Sequence, residues 1–243
     1  MKAMILAAGL GTRLKPLTDN IPKALVEVEG KPMLERVILK LKDQGFSYII
    51  VNTHHFADKV RDFLSQKDYG IEIAISDESG ELLDTGGGIA KAYSLIFKYD
   101  NEPVLVHNVD ILSNADLRNL YCHSKDFSRL LVSERESSRK LLFNAEKDLI
   151  GWHNLNTGHF KPVEIEKIFD KADYEELSFS GIYVLTRDSI EEMIRLLGKE
   201  RYSIMDYFLH PERSLNIKGF KAERINLLDI GKPESLRMAS TFL

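Results

Sequence analysis

Cysteine is almost absent. Cys122 is the only one in 243 residues, which excludes an intramolecular disulfide and a cysteine zinc cluster and leaves the core to packing alone. Proline is sparse, at 7 residues, and no low-complexity stretch or internal repeat interrupts the chain, which excludes the fibrous and disordered classes and leaves no evident linker. No apolar run approaches the ~18 residues that a membrane span requires. The run from Ala3 to Leu10 follows Lys2 but is short, contains Gly9 and meets Arg13 and Lys15 without a cleavage site, so it is not expected to act as a signal peptide. Excess positive charge is lacking too: the net charge is -4 and the sequence pI about 6.0, which leaves no broad basic face for nucleic acid. The expectation is a cytoplasmic protein with no membrane or nucleic-acid partner.

What is present is an ordinary globular balance of 44% hydrophobic and 29% charged residues, in a length that serves one large α/β domain or two small ones. The first 45 residues depart from the acidic whole. There Lys2, Arg13, Lys15, Lys23, Lys31, Arg36, Lys40 and Lys42 outnumber Asp19, Glu27, Glu29, Glu35 and Asp43, an asymmetry that suits a small anionic ligand better than a polyanion.

Strand-length apolar runs at Ala3 to Ala8, Tyr48 to Asn52, Ile71 to Ile75 and Val104 to Val109 are bounded by polar or glycine residues. Amphipathic stretches separate them. Met33, Leu34, Val37, Ile38 and Leu41 recur at helical spacing, with Pro32 suited to the first turn and Gly45 to the stop. Phe56, Val60, Phe63 and Leu64 repeat the pattern, and Ile89 to Phe97 follows three glycines. This alternation predicts an α/β fold: a Rossmann-like, mixed, mainly parallel sheet flanked by helices in three layers, α/β/α, with ligands at the carboxyl ends of the strands. After Leu131 the runs Leu141 to Ala145, Leu149 to His153, Phe179 to Leu185 and Ile225 to Ile230 predict mixed strands added to the same sheet and a lid over the site. Residues 1–243 are expected to form a single domain.

Directly after the first run the chain reads Gly9-Leu10-Gly11-Thr12-Arg13. Leu14 stands where a dinucleotide fingerprint needs its third glycine, and the GK[ST] ending of a P-loop is missing. Small residues at Ala7, Ala8, Gly9 and Gly11 still let backbone N–H groups approach phosphate oxygens or a base edge closely, with the backbone of Leu6 to Gly9 a candidate for reading the base; a tight turn after a buried strand is the alternative. Arg13 suits bidentate phosphate binding, and Lys23, stiffened by Pro22, supplies a point charge. Lys15 and Lys31 read as solvated surface charges.

The string AMILAAGLGTRLKPLTDNIPKALVEVEGKPML at residues 3–34 resembles the signature of the sugar-1-phosphate nucleotidyltransferases, in which LAAG-x-G-T/E-R-x-x-P-L-T precedes P-K and G-K-P. LLDTGGGIAKA at 82–92, FSGIYVL at 179–185 and LLDIGKPESL at 227–236 spread the likeness over nearly the whole chain. The three-glycine form is most similar to the branch of N-acetylmuramate-1-phosphate uridylyltransferases and mannose-1-phosphate guanylyltransferases. The resemblance implies the nucleotide-diphospho-sugar transferase fold, with residues 1–135 mainly binding nucleotide and 136–243 mainly binding sugar. It also implies the reaction: an NTP and a sugar-1-phosphate give an NDP-sugar and pyrophosphate, assisted by Mg²⁺.

Asp110 and Asp229 each end an apolar run, where an α/β sheet presents ligands, and two carboxylates plus phosphate oxygens and waters suit magnesium. The resemblance assigns the metal to this pair; a turn or helix cap is the alternative for either residue. Where the family has Asn-Gly-Asp, this chain has Asn108-Val109-Asp110. Arg13, Lys23 and Asp110 are therefore the expected catalytic groups. Leu6, Ala8, Gly9, Gly11 and Thr12 are expected to touch nucleotide, with Asn108 holding nucleotide or sugar phosphate. Gly86, Gly87 and Gly88 are placed ahead of a helix, where backbone could press on base or ribose; a plain loop is the alternative. Side chains between Asp77 and Asp84 are candidates for reading the base. On the sugar side, GWHNLNTGHFKPVEIEK at 151–167 keeps only Lys161-Pro162 of the family's Glu-Lys-Pro segment. Trp152, His153, Asn154 and Ser180 are candidates for lining the sugar pocket, against ordinary packing. No histidine shows metal spacing, and no Ser/His/Asp or Cys/His nucleophile set is visible. The competing expectations are a cytidylyltransferase acting on a phosphorylated alcohol such as phosphocholine, and a non-catalytic nucleotide or nucleotide-sugar sensor of the same build.

Overall fold

The computed structural model describes residues 1–162, 173–222 and 224–242. Strand β1 (Lys2–Leu6) leads through the glycine loop and a hairpin of β2 (Glu27–Val28) and β3 (Lys31–Pro32) into helix α1 (Met33–Asp43). The alternation continues with β4 (Tyr48–Thr53), α2 (Ala57–Ser65), β5 (Glu72–Asp77), α3 (Asp84–Lys91), α4 (Tyr93–Ile96) and β6 (Val104–Asn108). Next come β7 (Ile111–Ser113), α5 (Leu117–Cys122), β8 (Ser128–Ser133), β9 (Arg139–Phe143), β10 (Leu149–Asn154), β11 (His159–Lys161) and the long β12 (Glu175–Leu185). Helices α6 (Arg187–Leu197) and α7 (Ile204–Phe208), strands β13 (Ile217–Lys221) and β14 (Leu227–Asp229), and helix α8 (Pro233–Phe242) follow.

Period-two burial along β1 explains the layers. Ala3 and Ile5 pack with Leu34, Ile38 and Leu41 of α1, whereas Met4 and Leu6 face Ile89 of α3, Met193 of α6 and Phe208 of α7. Both faces of the sheet are therefore covered by helices, the three-layer arrangement expected from the sequence. Leu34, Ile38 and Leu41 are fully buried, each contributing about 1.5–3 kcal/mol, and Gly45 takes φ 88° to end the α1 turn.

Strands β5, β4, β1 and β6 lie side by side and parallel. β12 joins antiparallel to β6, pairs with β8 and β9 as well, and β10, β11 and β13 complete one ten-stranded sheet. The mixed strands of the second half are thus as expected, with one correction. The run Ile225 to Ile230 does not enter the main sheet: its strand β14 pairs antiparallel with β7 in a separate two-stranded ribbon. Part of the 151–167 segment, residues 163–167, lies outside the described residues. No described helix is long and apolar enough to cross a membrane.

Candidate functional site

Asn52, Leu6 and Asn108 stand in one row across β4, β1 and β6, since Leu6 pairs in register with both asparagines. This row is the carboxyl edge of the parallel strands, and above it opens a cavity of about 560 Å³. The glycine loop forms one wall. Gly11 has φ 68°, and a Cβ there would lie 2.8 Å from Thr18 Cγ2 and 3.0 Å from Lys23 Cβ, so only glycine permits both the left-handed turn and this approach. Thr18 Oγ1 donates to the Gly11 carbonyl at 2.8 Å. Arg13 rides on a short helical turn anchored by fully buried Leu14, and Lys23 begins another directly after Pro22.

A buried polar strut holds this wall. The N–H groups of Ala7 and Ala8 donate to Asn52 Oδ1 at 2.6 and 3.3 Å, and Asn52 Nδ2 donates to Glu78 Oε1 at 2.7 Å. Asn52 is 2% exposed and Glu78 not at all. Burial pushes the Glu78 carboxyl above its ordinary range, opposed by its bonds from Asn52 and the Leu83 N–H. A Cβ at Gly88 would sit 2.7 Å from Glu78 Oε1 and 3.0 Å from Asn52 Nδ2, so the third glycine of the triplet makes room for the strut.

The β7–β14 ribbon brings the distant carboxylates together. Asp229 pairs with Ile111, and the Ile230 N–H donates to the Asp110 carbonyl at 2.9 Å. A Cβ at Gly231 would lie 2.8 Å from Asp110 Oδ2, 2.9 Å from Asp229 Oδ1 and 3.0 Å from a terminal nitrogen of Arg13. Two carboxylates and a guanidinium thus surround one point. Lys23 Nζ pairs with Asp110 Oδ2 on the cavity side. Val109 is 3% exposed and packs in the apolar cluster with Ile111 and Leu112, at a negative φ. Its side chain is taken up by that cluster, and the departure from Asn-Gly-Asp leaves the convergence of the carboxylates intact. Two hard oxygen donors at the rim of a cavity with a guanidinium and an ammonium fit a magnesium ion that takes its other ligands from phosphate and water. Among the described residues no group of three or more His, Cys, Asp or Glu could do the work alone.

Leu6, Ala8, Gly9, Gly11, Thr12, Arg13, Lys23, Asn108 and Asp110 all line this cavity. Five other expectations are corrected. Gly86, Gly87 and Gly88 lie inside α3 rather than ahead of it; the Gly86 and Gly87 N–H groups donate to the Tyr202 carbonyl, and Cβ atoms on those two would strike the Tyr202 ring at 2.3 Å and the Glu200 carbonyl at 2.1 Å. They serve close packing, while Leu82, Asp84 and Thr85 ahead of them line the cavity. Ser180 is 2% exposed, and its hydroxyl is taken up by the Ile182 N–H at 3.0 Å and the Ile182 carbonyl at 3.2 Å. It shapes the β12 irregularity that gives Gly181 φ 77° and sets Asn108 Nδ2 2.8 Å from a Cβ there. Asn154 ends β10, and its side chain accepts the Asn156 N–H at 3.1 Å in the turn toward β11.

Asp229 lines a second cavity of about 490 Å³, with Arg135, Arg139, Trp152, Lys161 and Phe179 among its walls. His153 stacks on Phe160 and bonds Glu176 at 2.8 Å. Asn52 and Gly231 escape a motif search, yet Asn52 ends a strand legible as such and Gly231 follows Asp229 in the quoted LLDIGKPESL string. Glu78 carries only its place in the Asp77 to Asp84 segment. Arg135 carries no local signal at all.

Residues 2–143 match the family described as Nucleotidyl transferase. An N-acetylmuramate alpha-1-phosphate uridylyltransferase of Neisseria meningitidis serogroup B is 44% identical over 117 residues, 48% of this chain and 49% of that protein. The aligned stretch thus spans about half of that relative. A D-glycero-alpha-D-manno-heptose 1-phosphate guanylyltransferase of Campylobacter jejuni is 28% identical over 96% of both chains. The crystal structure of HddC from Yersinia pseudotuberculosis complexed with GMP-PN superposes with a TM-score of 0.75 at 26% identity, covering 100% of this chain and 99% of that one.

Proposed function

The chain belongs to the nucleotidyl transferase family, and on that premise we propose that it transfers a nucleoside monophosphate from an NTP to a sugar-1-phosphate. An oxygen of the acceptor phosphate attacks the α-phosphorus in line, forming a new P–O bond as the α–β bond breaks and pyrophosphate leaves. The observation that carries this reading is the convergence of Arg13, Asp110 and Asp229 on Gly231, with Lys23 paired to Asp110.

The first cavity takes the NTP. Its loop from Leu6 to Thr12 supplies backbone donors, Arg13 grips the triphosphate, and Asn108 bonds the substrate from the strand edge. Asp110 and Asp229 hold Mg²⁺, whose charge offsets that of the phosphate oxygens. Lys23 exchanges its present partner, Asp110, for the α-phosphate, where an ammonium lowers the barrier by about 3 kcal/mol as charge moves to the leaving group. No covalent intermediate is required; positioning and neutralisation suffice. The acceptor enters by the second cavity, whose Asp229 lies beside Gly231 of the first. The sheet that runs unbroken through both halves supports a single domain, and the single cysteine and phosphorylated substrates support a cytoplasmic setting.

Pyrophosphate release with Mg²⁺ across a grid of NTPs and acceptors tests the reading, with muramate, heptose, mannose and glucose 1-phosphates on one axis and phosphocholine as a further arm. One productive pair among the sugar phosphates is expected. NTP binding without pyrophosphate release from any pair points to a sensor, and release only with phosphocholine points to the cytidylyl alternative.

A further inference from the structure

The second cavity holds three cationic side chains and one carboxylate. Among the described residues no carboxylate forms an ion pair with Arg135, Arg139 or Lys161, all of which line it beside Asp229. Arg139 and Lys161 are exposed, so water solvates them at little cost. Arg135 differs. It is half-buried, one terminal nitrogen donates to the Phe179 carbonyl at 2.8 Å, and its Nε is buried with no hydrogen-bond partner among the described residues. Its backbone is fixed as well: the Arg135 carbonyl accepts from Lys140 Nζ at 2.9 Å and from Ser178 Oγ at 2.7 Å.

A tethered, half-buried guanidinium has already lost part of its hydration, so an anion in the cavity meets its terminal nitrogens at a lower desolvation cost than it meets the exposed Arg139 or Lys161. Its planar fork matches a phosphate, and the tether means little entropy is lost on binding one. Asp229 is the carboxylate whose charge Arg135 feels, and Asp229 borders the first cavity through Gly231. An anion held by Arg135 therefore lies on the acceptor's side of the reacting centre. Trp152 offers a flat apolar wall to the carbon skeleton that carries the phosphate.

We propose that Arg135, tethered to Phe179 and facing the second cavity next to Asp229, is the residue that binds the acceptor's phosphate group. The assignment rests on the transferase reading above and adds a specificity-determining residue to it. Arg135 selects phosphorylated acceptors over neutral ones and contributes nothing to NTP affinity.

Trp152 is the only tryptophan of the chain and lines the same cavity, so its fluorescence reports occupancy independently of turnover. The full-length protein, with Mg²⁺ and a non-hydrolysable NTP analogue, is titrated with the sugar-1-phosphates of the grid and, as controls, with the unphosphorylated sugars. The productive sugar phosphate is expected to change Trp152 emission saturably, and the free sugars are not. Arg135→Gln should weaken that binding and raise the acceptor KM about tenfold to a hundredfold, leaving NTP affinity by calorimetry within about twofold. Arg135→Lys, which keeps the charge but not the fork, should recover part of the loss with an unchanged unfolding midpoint. A purely structural role would lower the midpoint and disturb both substrates together, which overturns the assignment. Normal acceptor KM in both variants overturns it too and leaves the transferase reading standing. Absence of pyrophosphate release from every wild-type pair removes that reading, and the assignment with it.

Discussion

The two cavities are linked through Gly231, which lines the first, and Asp229, which lines the second, but they are built by different means. The first is framed by backbone: the loop from Leu6 to Thr12, the strand-edge row Asn52, Leu6 and Asn108, and carboxylates presented from a ribbon. The second is framed by side chains arriving from the loop after β8, from β9, β10, β11 and β12, and from α7. A polyphosphate is the same object in every NTP, and a rigid cradle of main chain suits it. An acceptor varies, and a wall of interchangeable side chains lets one scaffold change its preference without rebuilding the cradle.

Substitutions can break or sharpen that contrast. Asp110→Asn should be the most severe, lowering turnover on the order of 10³-fold with unchanged circular dichroism; activity near that of the wild type would remove Asp110 from the centre. A pH series probes the sheet beneath Asn108, which lines the first cavity. His107 on β6 is fully buried, and burial above all pushes its imidazole down to about 4 from 6.5, helped by Lys40 and opposed by the Asn108 carbonyl and Asp110. A folded value below the unfolded one gives stability that is complete above pH 6.5 and lost as pH falls through 4, approaching about 3 kcal/mol. Urea denaturation at several pH values should show this slope, and His107→Gln should flatten it.

Gly231→Ala places a methyl group among Asp110, Asp229 and Arg13. A shift of these groups by a fraction of an ångström should cost about 10²-fold in kcat, with the unfolding midpoint little changed. Asn52→Ala leaves the Ala7 and Ala8 N–H groups and Glu78 without their buried partner, for a loss of about 2 kcal/mol in chemical denaturation and a raised NTP KM. Asn154→Ala should be the mildest. Among the described residues its side chain bonds only within a turn, so steady-state constants for both substrates should stay within about twofold.

The same contrast governs what a bare sequence discloses. β1, β4 and β6 are legible because each is an apolar run ended by polar residues, and Arg13 and Lys23 are legible because loop and turn chemistry is local. Asp110 and Asp229 could be named singly, but their meeting depends on β14 choosing β7 over the main sheet, a long-range pairing with no local mark. Gly86 and Gly87 misled for a physical reason: a glycine that admits a ligand and one that admits Tyr202 look identical in one dimension. Ser180 and Asn154 did so because a hydroxyl or amide near a site gives no hint that its own backbone will occupy it. Arg135 stayed hidden among charged residues of a loop, where only burial sets it apart.

The ribbon and β12 also set an order on biosynthesis. A ribosome that has released the first 143 residues has made the whole stretch matched by the family, including Arg13, Lys23 and Asp110. It has not yet made Asp229, nor the antiparallel neighbour that covers the flank of β6. Until translation reaches β12 that flank is an unpaired edge open to other strands, and the contacts that close it are late and distant in sequence, the slow kind. An emerging chain can therefore display the cationic loop well before it holds the second carboxylate, and half of the molecule is no smaller version of the whole.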